Sequence, residues 1–105
     1  TTDMINRERL NLMKTDSILI NCSRGGLVNE EDLYNHLITH KNFFAALDTF
    51  VNEPYDGPLK DLNNILLSPH IGSLTIECRE SMELTAVNEI INFHVGRKIK
   101  NEILI

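Results

Sequence analysis

Ser17-Ile18-Leu19-Ile20-Asn21-Cys22-Ser23-Arg24-Gly25-Gly26 is the stretch that decides the fold. Its first half is apolar at consecutive positions, so it presents apolar side chains on both faces. This reads as a central strand of a parallel sheet, covered by helices on each side. Its second half turns polar and small and ends in two glycines, which marks a tight turn at the strand's carboxyl end. Asn29 then offers an N-cap, with Glu30, Glu31 and Asp32 in the first turn, where negative charge meets the positive end of a helix. Leu33, Leu37 and Ile38 give that helix an apolar stripe, and it is expected to end near Thr39-His40-Lys41.

The pattern continues in both directions. Upstream, Asp3 to Lys14 carries Met4, Ile5, Leu10, Leu12 and Met13 at helical spacings, with Thr2 or Asp3 as the cap. Downstream, Phe43-Phe44-Ala45-Ala46-Leu47 reads as a second strand closed by Asp48. Pro54, Gly57 and Pro58 make Asn52 to Leu59 a loop. Ile65-Leu66-Leu67 is a third strand, stopped at Ser68-Pro69 because proline has no amide hydrogen for a sheet. From Thr75 to Gly96 a long helix is expected, with Leu84, Val87, Ile91 and Val95 on one face, Ser73 or Thr75 as cap and Gly96 as stop. Strands separated by helices or long crossings imply an α/β fold with a parallel sheet and right-handed connections. About three strands with flanking helices make half of a doubly wound sheet.

Composition narrows the function classes. The chain has 105 residues, 42% hydrophobic and 24% charged, with a net charge of −5. The Lys and Arg residues are scattered apart from Arg97, Lys98 and Lys100, which suit a helix end, so no nucleic-acid surface is expected. Cys22 and Cys78 lack a CxxC spacing, which argues against a disulfide framework and for a reducing cytoplasm. No apolar run is long enough for a membrane span, and Thr1-Thr2-Asp3-Met4 is not a signal peptide. A start other than Met suggests a piece of something longer. His36, His40 and His94 fall in helical segments without partners at metal spacing and read as surface residues; no metal is expected.

In open parallel sheets, ligands bind at the carboxyl ends of the strands. All three strands here end in polar chemistry: Asn21-Cys22-Ser23-Arg24, then Asp48 with Glu53 shortly after, then His70-Ile71-Gly72-Ser73. Taken singly, each has an ordinary explanation as a solvated side chain or a turn cap. Together they place an arginine, a carboxylate and a histidine on one sheet edge. Arginine can grip a substrate carboxylate through two parallel hydrogen bonds. Histidine can pass a proton, and a carboxylate beside it favours the charged imidazolium. That set suits reduction of a carbonyl next to a carboxylate, with the imidazolium protonating the developing alkoxide.

Four stretches then carry a specific resemblance. They are Leu19-Ile20-Asn21-Cys22-Ser23-Arg24-Gly25-Gly26-Leu27-Val28, Ala45-Ala46-Leu47-Asp48-Thr49-Phe50, Glu53-Pro54, and Ser68-Pro69-His70-Ile71-Gly72-Ser73. In this order and spacing the chain resembles the D-isomer-specific 2-hydroxyacid dehydrogenases over nearly its whole length. The resemblance implies the C-terminal half of a Rossmann-like NAD-binding domain over 1–97, with 98–105 a remnant of the segment returning to the substrate domain. It implies Arg24, Glu53 and His70 as catalytic residues: the substrate-carboxylate arginine, the acidic partner and the general acid/base. It implies Cys22, Ser23, Arg24, Asp48, His70, Gly72 and Ser73 as contacts of NAD, with NADP not excluded. Asp48 would meet the nicotinamide carboxamide. Phe44 stands where many members have glycine, which suggests altered local packing. No Gly-x-Gly-x-x-Gly occurs, so the pyrophosphate turn and the adenosine half of the site are not in these residues.

The expected function is therefore a fragment of an NAD(P)-dependent oxidoreductase acting at C2 of a small 2-hydroxy or 2-oxo acid, inactive by itself. The alternative is a non-catalytic oligomerisation or regulatory module derived from that fold. An unpaired sheet edge favours self-association, so a homo-oligomer, a dimer, is expected.

Overall fold

The computed structural model describes residues 1–101. The chain divides into two compact units, Thr1–Ile71 and Gly72–Ile105. In the first, three parallel strands, β1 (Ile18–Asn21), β2 (Phe44–Leu47) and β3 (Ile65–Leu67), form an open sheet in the order β1-β2-β3. Two helices, α1 (Arg7–Leu12) and α2 (Glu30–Thr39), accompany it. Register pairs Leu19 with Ala45 and Ala45 with Ile65, so the strands end together.

One sheet face is buried. Leu10, Leu33, Leu37, Phe43, Ala45, Leu47, Phe50 and Leu59 make one core, with Leu19, Ile65 and Leu67 packed against it. Each fully buried leucine or phenylalanine there contributes about 1.5–3 kcal/mol. Asn64 joins three elements: its side-chain amide donates to Leu37 O (3.1 Å) and Phe43 O (3.0 Å). The other face, with Ile18, Ile20, Phe44 and Leu66 in register, is exposed.

Helix α2 begins as its sequence dictates. The Asn29 side chain accepts from Asp32 N–H (2.9 Å), and Asp32 in turn accepts from Arg7 N–H (2.9 Å), linking the starts of both helices. A single turn of 3-10 helix over Pro58–Asp61, with proline in its first turn, interrupts the expected loop before β3.

Three expectations are corrected. The first helix starts at Arg7, capped by Asn6, and not at Asp3. Asp3 to Ile5 are instead held in an isolated parallel bridge, with Asp3 N–H on Gly26 O, Ile5 N–H on Leu27 O and Asn29 N–H on Ile5 O. Asn29 N–H thereby takes the Ile5 carbonyl that a helix starting at Asp3 would give to Arg9 N–H. Second, β1 is an edge strand here and β2 is central. A run apolar on both faces does not set the number of paired neighbours, and the Ile18 and Ile20 side of β1 is exposed. Third, His36 is buried. Its ring stacks on His40 (4.0 Å) and meets the edge of Phe43 (4.7 Å). Burial, and then the charge of His40, hold its pKa below the usual histidine value.

The second unit is built on α3 (Ile76–His94), capped by Thr75, whose hydroxyl accepts from Cys78 N–H (3.1 Å). It stops where expected. Gly96 is left-handed (φ 66°), Gly96 N–H bonds Phe93 O (3.2 Å) and Arg97 N–H bonds Asn92 O (2.8 Å), the paired arrangement that closes a helix at glycine. The stripe Leu84, Val87, Ile91 and Val95 is exposed along with Met82, Ile90 and Phe93. No helix among the described residues is long and apolar enough to cross a membrane. Of the return segment expected at 98–105, residues 102–105 lie outside the described residues.

Candidate active site at the strand ends

The carboxyl ends of β1, β2 and β3 each lead into a loop carrying a candidate residue. After β1, buried Asn21 shapes the turn: its Oδ1 accepts from Ser23 N–H (3.1 Å) and its amide donates to Arg24 O (3.0 Å). Cys22, Ser23 and Arg24 are held outward by that turn and are exposed. The Arg24 guanidinium donates to Ser23 O (2.7 Å) and lines, with Ser23, Gly25 and Gly26, a cavity of about 330 Å³. Asn21 is the residue sequence reasoning left without a role. An asparagine ending an apolar strand just before a polar turn is a signal for such a side-chain turn.

Gly25 explains how the first loop reaches the second. A Cβ at this position would lie 1.9 Å from Phe50 O and 2.7 Å from Val51 N, so only a glycine lets the two backbones touch. Gly26 follows in the left-handed region (φ 78°). The loop after β2 is fixed by two carboxylates: Phe50 N–H donates to Glu53 Oε1 (2.9 Å) and Val51 N–H to Glu30 Oε1 (2.8 Å). Phe50 also stacks on Tyr55 (4.5 Å).

Glu53 meets His70 directly. Glu53 Oε2 lies 2.9 Å from His70 Nδ1, with both side chains about 40% exposed (42% for His70, 36% for Glu53). The hydrogen bond from His70, then that from Phe50 N–H, holds the Glu53 pKa below the usual carboxylate range. An ionised carboxylate only accepts, so Nδ1 carries the hydrogen of this bond. The opposite nitrogen, Nε2, has no hydrogen bond among the described residues.

Asp48 ends β2 buried, with Oδ1 accepting from Ser68 Oγ–H (2.6 Å) and from Ile71 N–H (2.9 Å). His70 itself is left-handed (φ 54°), with its N–H on Ser68 O (3.0 Å). The structure thus brings together Glu53, His70 and the Asp48-held turn. Arg24 shares the sheet edge but has no hydrogen bond or ion pair to Glu53 or His70 among the described residues. Gly72 and Ser73 open the second unit, immediately after that turn in sequence.

A cavity of about 550 Å³ is lined by Glu30, Tyr34, Pro54 and Tyr55 and does not include His70.

Comparison with known proteins identifies the family and the fold. Residues 1–72 match the model of the D-isomer specific 2-hydroxyacid dehydrogenase NAD binding domain. The chain is 45% identical over 103 residues to a glyoxylate/hydroxypyruvate reductase B of Pectobacterium atrosepticum, covering 96% of this chain and 32% of that protein. It is 38% identical over 102 residues to a D-3-phosphoglycerate dehydrogenase of Methanocaldococcus jannaschii, covering 96% of this chain and 20% of the relative. The crystal structure of a D-isomer specific 2-hydroxyacid dehydrogenase from Xanthobacter autotrophicus, in complex with NADPH and MES, superposes with a TM-score of 0.83 at 29% identity, covering 99% of this chain and 43% of that one. The chain therefore spans about a fifth to a third of the length of these curated relatives. Its three-stranded parallel sheet with flanking helices is a Rossmann-like α/β fold, and the chain belongs to the NAD binding domain family of the D-isomer-specific 2-hydroxyacid dehydrogenases.

Proposed function

We propose that this chain is the part of an NAD(P)-dependent 2-hydroxyacid dehydrogenase that carries its proton-transfer pair, and that it does not turn over substrate by itself. The observation that carries the reading is the Glu53–His70 contact of 2.9 Å at the carboxyl edge of the sheet. Residues 1–97 would be the C-terminal half of the cofactor domain and 98–105 the start of the return to a substrate domain.

The residues fit the nicotinamide end of the cofactor. The ledge offers a carboxylate-backed imidazole with one nitrogen free, an exposed guanidinium, and a loop seated closely enough on its neighbour to exclude a Cβ. No Gly-x-Gly-x-x-Gly turn is present for the pyrophosphate. Cys22, Ser23 and Asp48 would line the cofactor side. When bound, the nicotinamide supplies or accepts the two electrons of the reaction at C2.

The protein's own part is binding and proton transfer. Arg24 would hold the carboxylate of a 2-oxo acid in a two-pronged contact, which fixes C2 relative to the ledge. In reduction His70 would give its Nε2 proton to the carbonyl oxygen as negative charge develops there. In oxidation neutral Nε2 would take that proton back. Glu53 stabilises the imidazolium and fixes which nitrogen faces the substrate.

A chimaera tests this. This chain would replace the matched 103 residues of the Pectobacterium reductase, and NADPH- or NADH-dependent reduction of glyoxylate and hydroxypyruvate would be followed. Activity that falls by about 10²–10⁴-fold on His70→Gln supports the reading. A folded chimaera without activity, beside an active parent, overturns it. The chain alone is expected to give no turnover.

A second reading, a non-catalytic assembly module, is supported by the β1 edge, which has no strand beside it among the described residues, and by the exposed face of Ile18, Ile20, Phe44 and Leu66. Light scattering on the isolated chain tests it: a dimer or larger assembly favours self-association, and a strict monomer removes it.

A further inference from the structure

Ser68 has no part in the proposed reaction, yet it sits at the one place where backbone conformation decides where the imidazole points. His70 lies in the left-handed region (φ 54°), which residues other than glycine seldom adopt and which persists only where the surroundings over-determine it. What over-determines it is visible. Asp48 Oδ1 accepts from Ser68 Oγ–H (2.6 Å), two residues before His70, and from Ile71 N–H (2.9 Å), one residue after it. His70 N–H closes the turn on Ser68 O (3.0 Å). Asp48 is a firm anchor, being buried at the end of the central strand with its own N–H on Asn21 O (3.0 Å). The ladder continues one step beyond β3, with Ser68 N–H on Leu47 O (3.0 Å).

We infer that Ser68 is a positioning residue: its hydroxyl and the Asp48 carboxylate clamp the turn on either side of His70, and this clamp sets the backbone from which the imidazole reaches Glu53. The role of His70 in proton transfer rests on the function proposed above; the clamp itself does not. Without the hydroxyl, the turn loses its side-chain tie to Asp48 ahead of His70 and keeps its backbone bonds, Ser68 N–H on Leu47 O among them. It is then free to relax toward the right-handed or extended region, and the relaxed backbone carries the ring away from the carboxylate. Pro69 does not supply the missing restraint, because its ring fixes its own φ and not that of the next residue.

The test reads the pair and not activity. In the 105-residue chain, the Glu53 side-chain carboxyl would be labelled with ¹³C and titrated by NMR in the unaltered protein, Ser68→Ala, Ser68→Thr and His70→Gln. The unaltered chain titrates below the usual carboxylate range, as the His70 hydrogen bond requires. Ser68→Ala is expected to move the Glu53 midpoint upward toward that of His70→Gln, and Ser68→Thr, which keeps a hydroxyl, to restore the unaltered midpoint. A folded Ser68→Ala chain in which Glu53 titrates as in the unaltered protein overturns the inference. Should Ser68→Ala not fold, hydrogen exchange of the Ile71 amide in the unaltered chain decides: protection supports the clamp, and exchange at the rate of an unstructured peptide refutes it. No cofactor or substrate enters these measurements. An inactive chimaera with an intact Glu53 response would therefore fail the dehydrogenase reading alone, and an active chimaera with an indifferent Ser68→Ala would fail the clamp alone.

Discussion

Replacing Gly25 with alanine adds a single methyl group at the point where the Arg24 loop lies on the backbone of the Glu53 loop. That carbon would sit 1.9 Å from Phe50 O, 2.1 Å from Phe50 C and 2.7 Å from Val51 N. All three are backbone atoms, so no side-chain rotation relieves the contact, and the loops must separate by roughly 1.5 Å to reach ordinary packing distances. Overpacking of this kind costs about 1–3 kcal/mol, and a backbone collision belongs at the upper end, near 3 kcal/mol. Domains of this size have total stabilities toward the low end of about 5–15 kcal/mol, so about half would be lost. The melting temperature should fall by about 10–20 °C. Gly26→Ala is the control. Its Cβ meets only the Val51 Cγ2 at 4.0 Å, and its cost of about 1–2 kcal/mol comes from the left-handed backbone alone. Urea unfolding followed by circular dichroism measures both. A Gly25→Ala chain within about 1 kcal/mol of the unaltered one, or less destabilised than Gly26→Ala, would refute the close approach of the two loops.

Three further outcomes are expected. Asn29→Ala removes the acceptor for Asp32 N–H at the start of α2 and should cost about 1 kcal/mol, measured in the same unfolding assay. Glu53 is held below its ordinary value, so its pairing contributes stability above the ordinary carboxylate pKa, and that contribution is lost as pH falls through the depressed value. The acid limb of a stability-versus-pH curve should therefore be shallower in His70→Gln, and an identical limb would contradict the pairing. His36 is likewise depressed: its unfolded form binds a proton near pH 6.5 and its folded form only at lower pH. Stability should be full above 6.5 and decline below it, and His36→Phe should flatten that decline.

How much of this was legible in the sequence differs by element. Strands β2 and β3 and the start of α2 could be read because local signals agreed: apolar runs bounded by Asp48, Asn64 and Ser68-Pro69, and an Asn29 cap followed by three acidic residues. The shared edge of Arg24, Glu53 and His70 was legible from topology, since parallel strands must end on one side. The Glu53–His70 contact needed the loop after β2 to fold back, and that depends on Phe50 N–H, Glu30 and the stack on Tyr55. These contacts, three to 21 residues apart, leave no periodic trace. The start of α1 misled for a related reason: Ile5 has helical spacing but spends its backbone on Leu27 and Asn29. His36 was misplaced because the apolar stripe of α2 was drawn through Leu33, Leu37 and Ile38, while the histidine beside them meets the edge of Phe43.

The central claim is that the strand-end ledge of this chain is the nicotinamide side of a dehydrogenase site. The most direct measurement is a titration of the ¹⁵N-labelled chain with NADH, followed residue by residue by NMR. The account predicts weak binding that does not saturate at stoichiometric cofactor, with shifts gathered at Cys22 to Arg24, Asp48 and His70 to Ser73. Shifts centred on Glu30, Tyr34 and Tyr55, or tight one-to-one binding despite the missing phosphate turn, would contradict it.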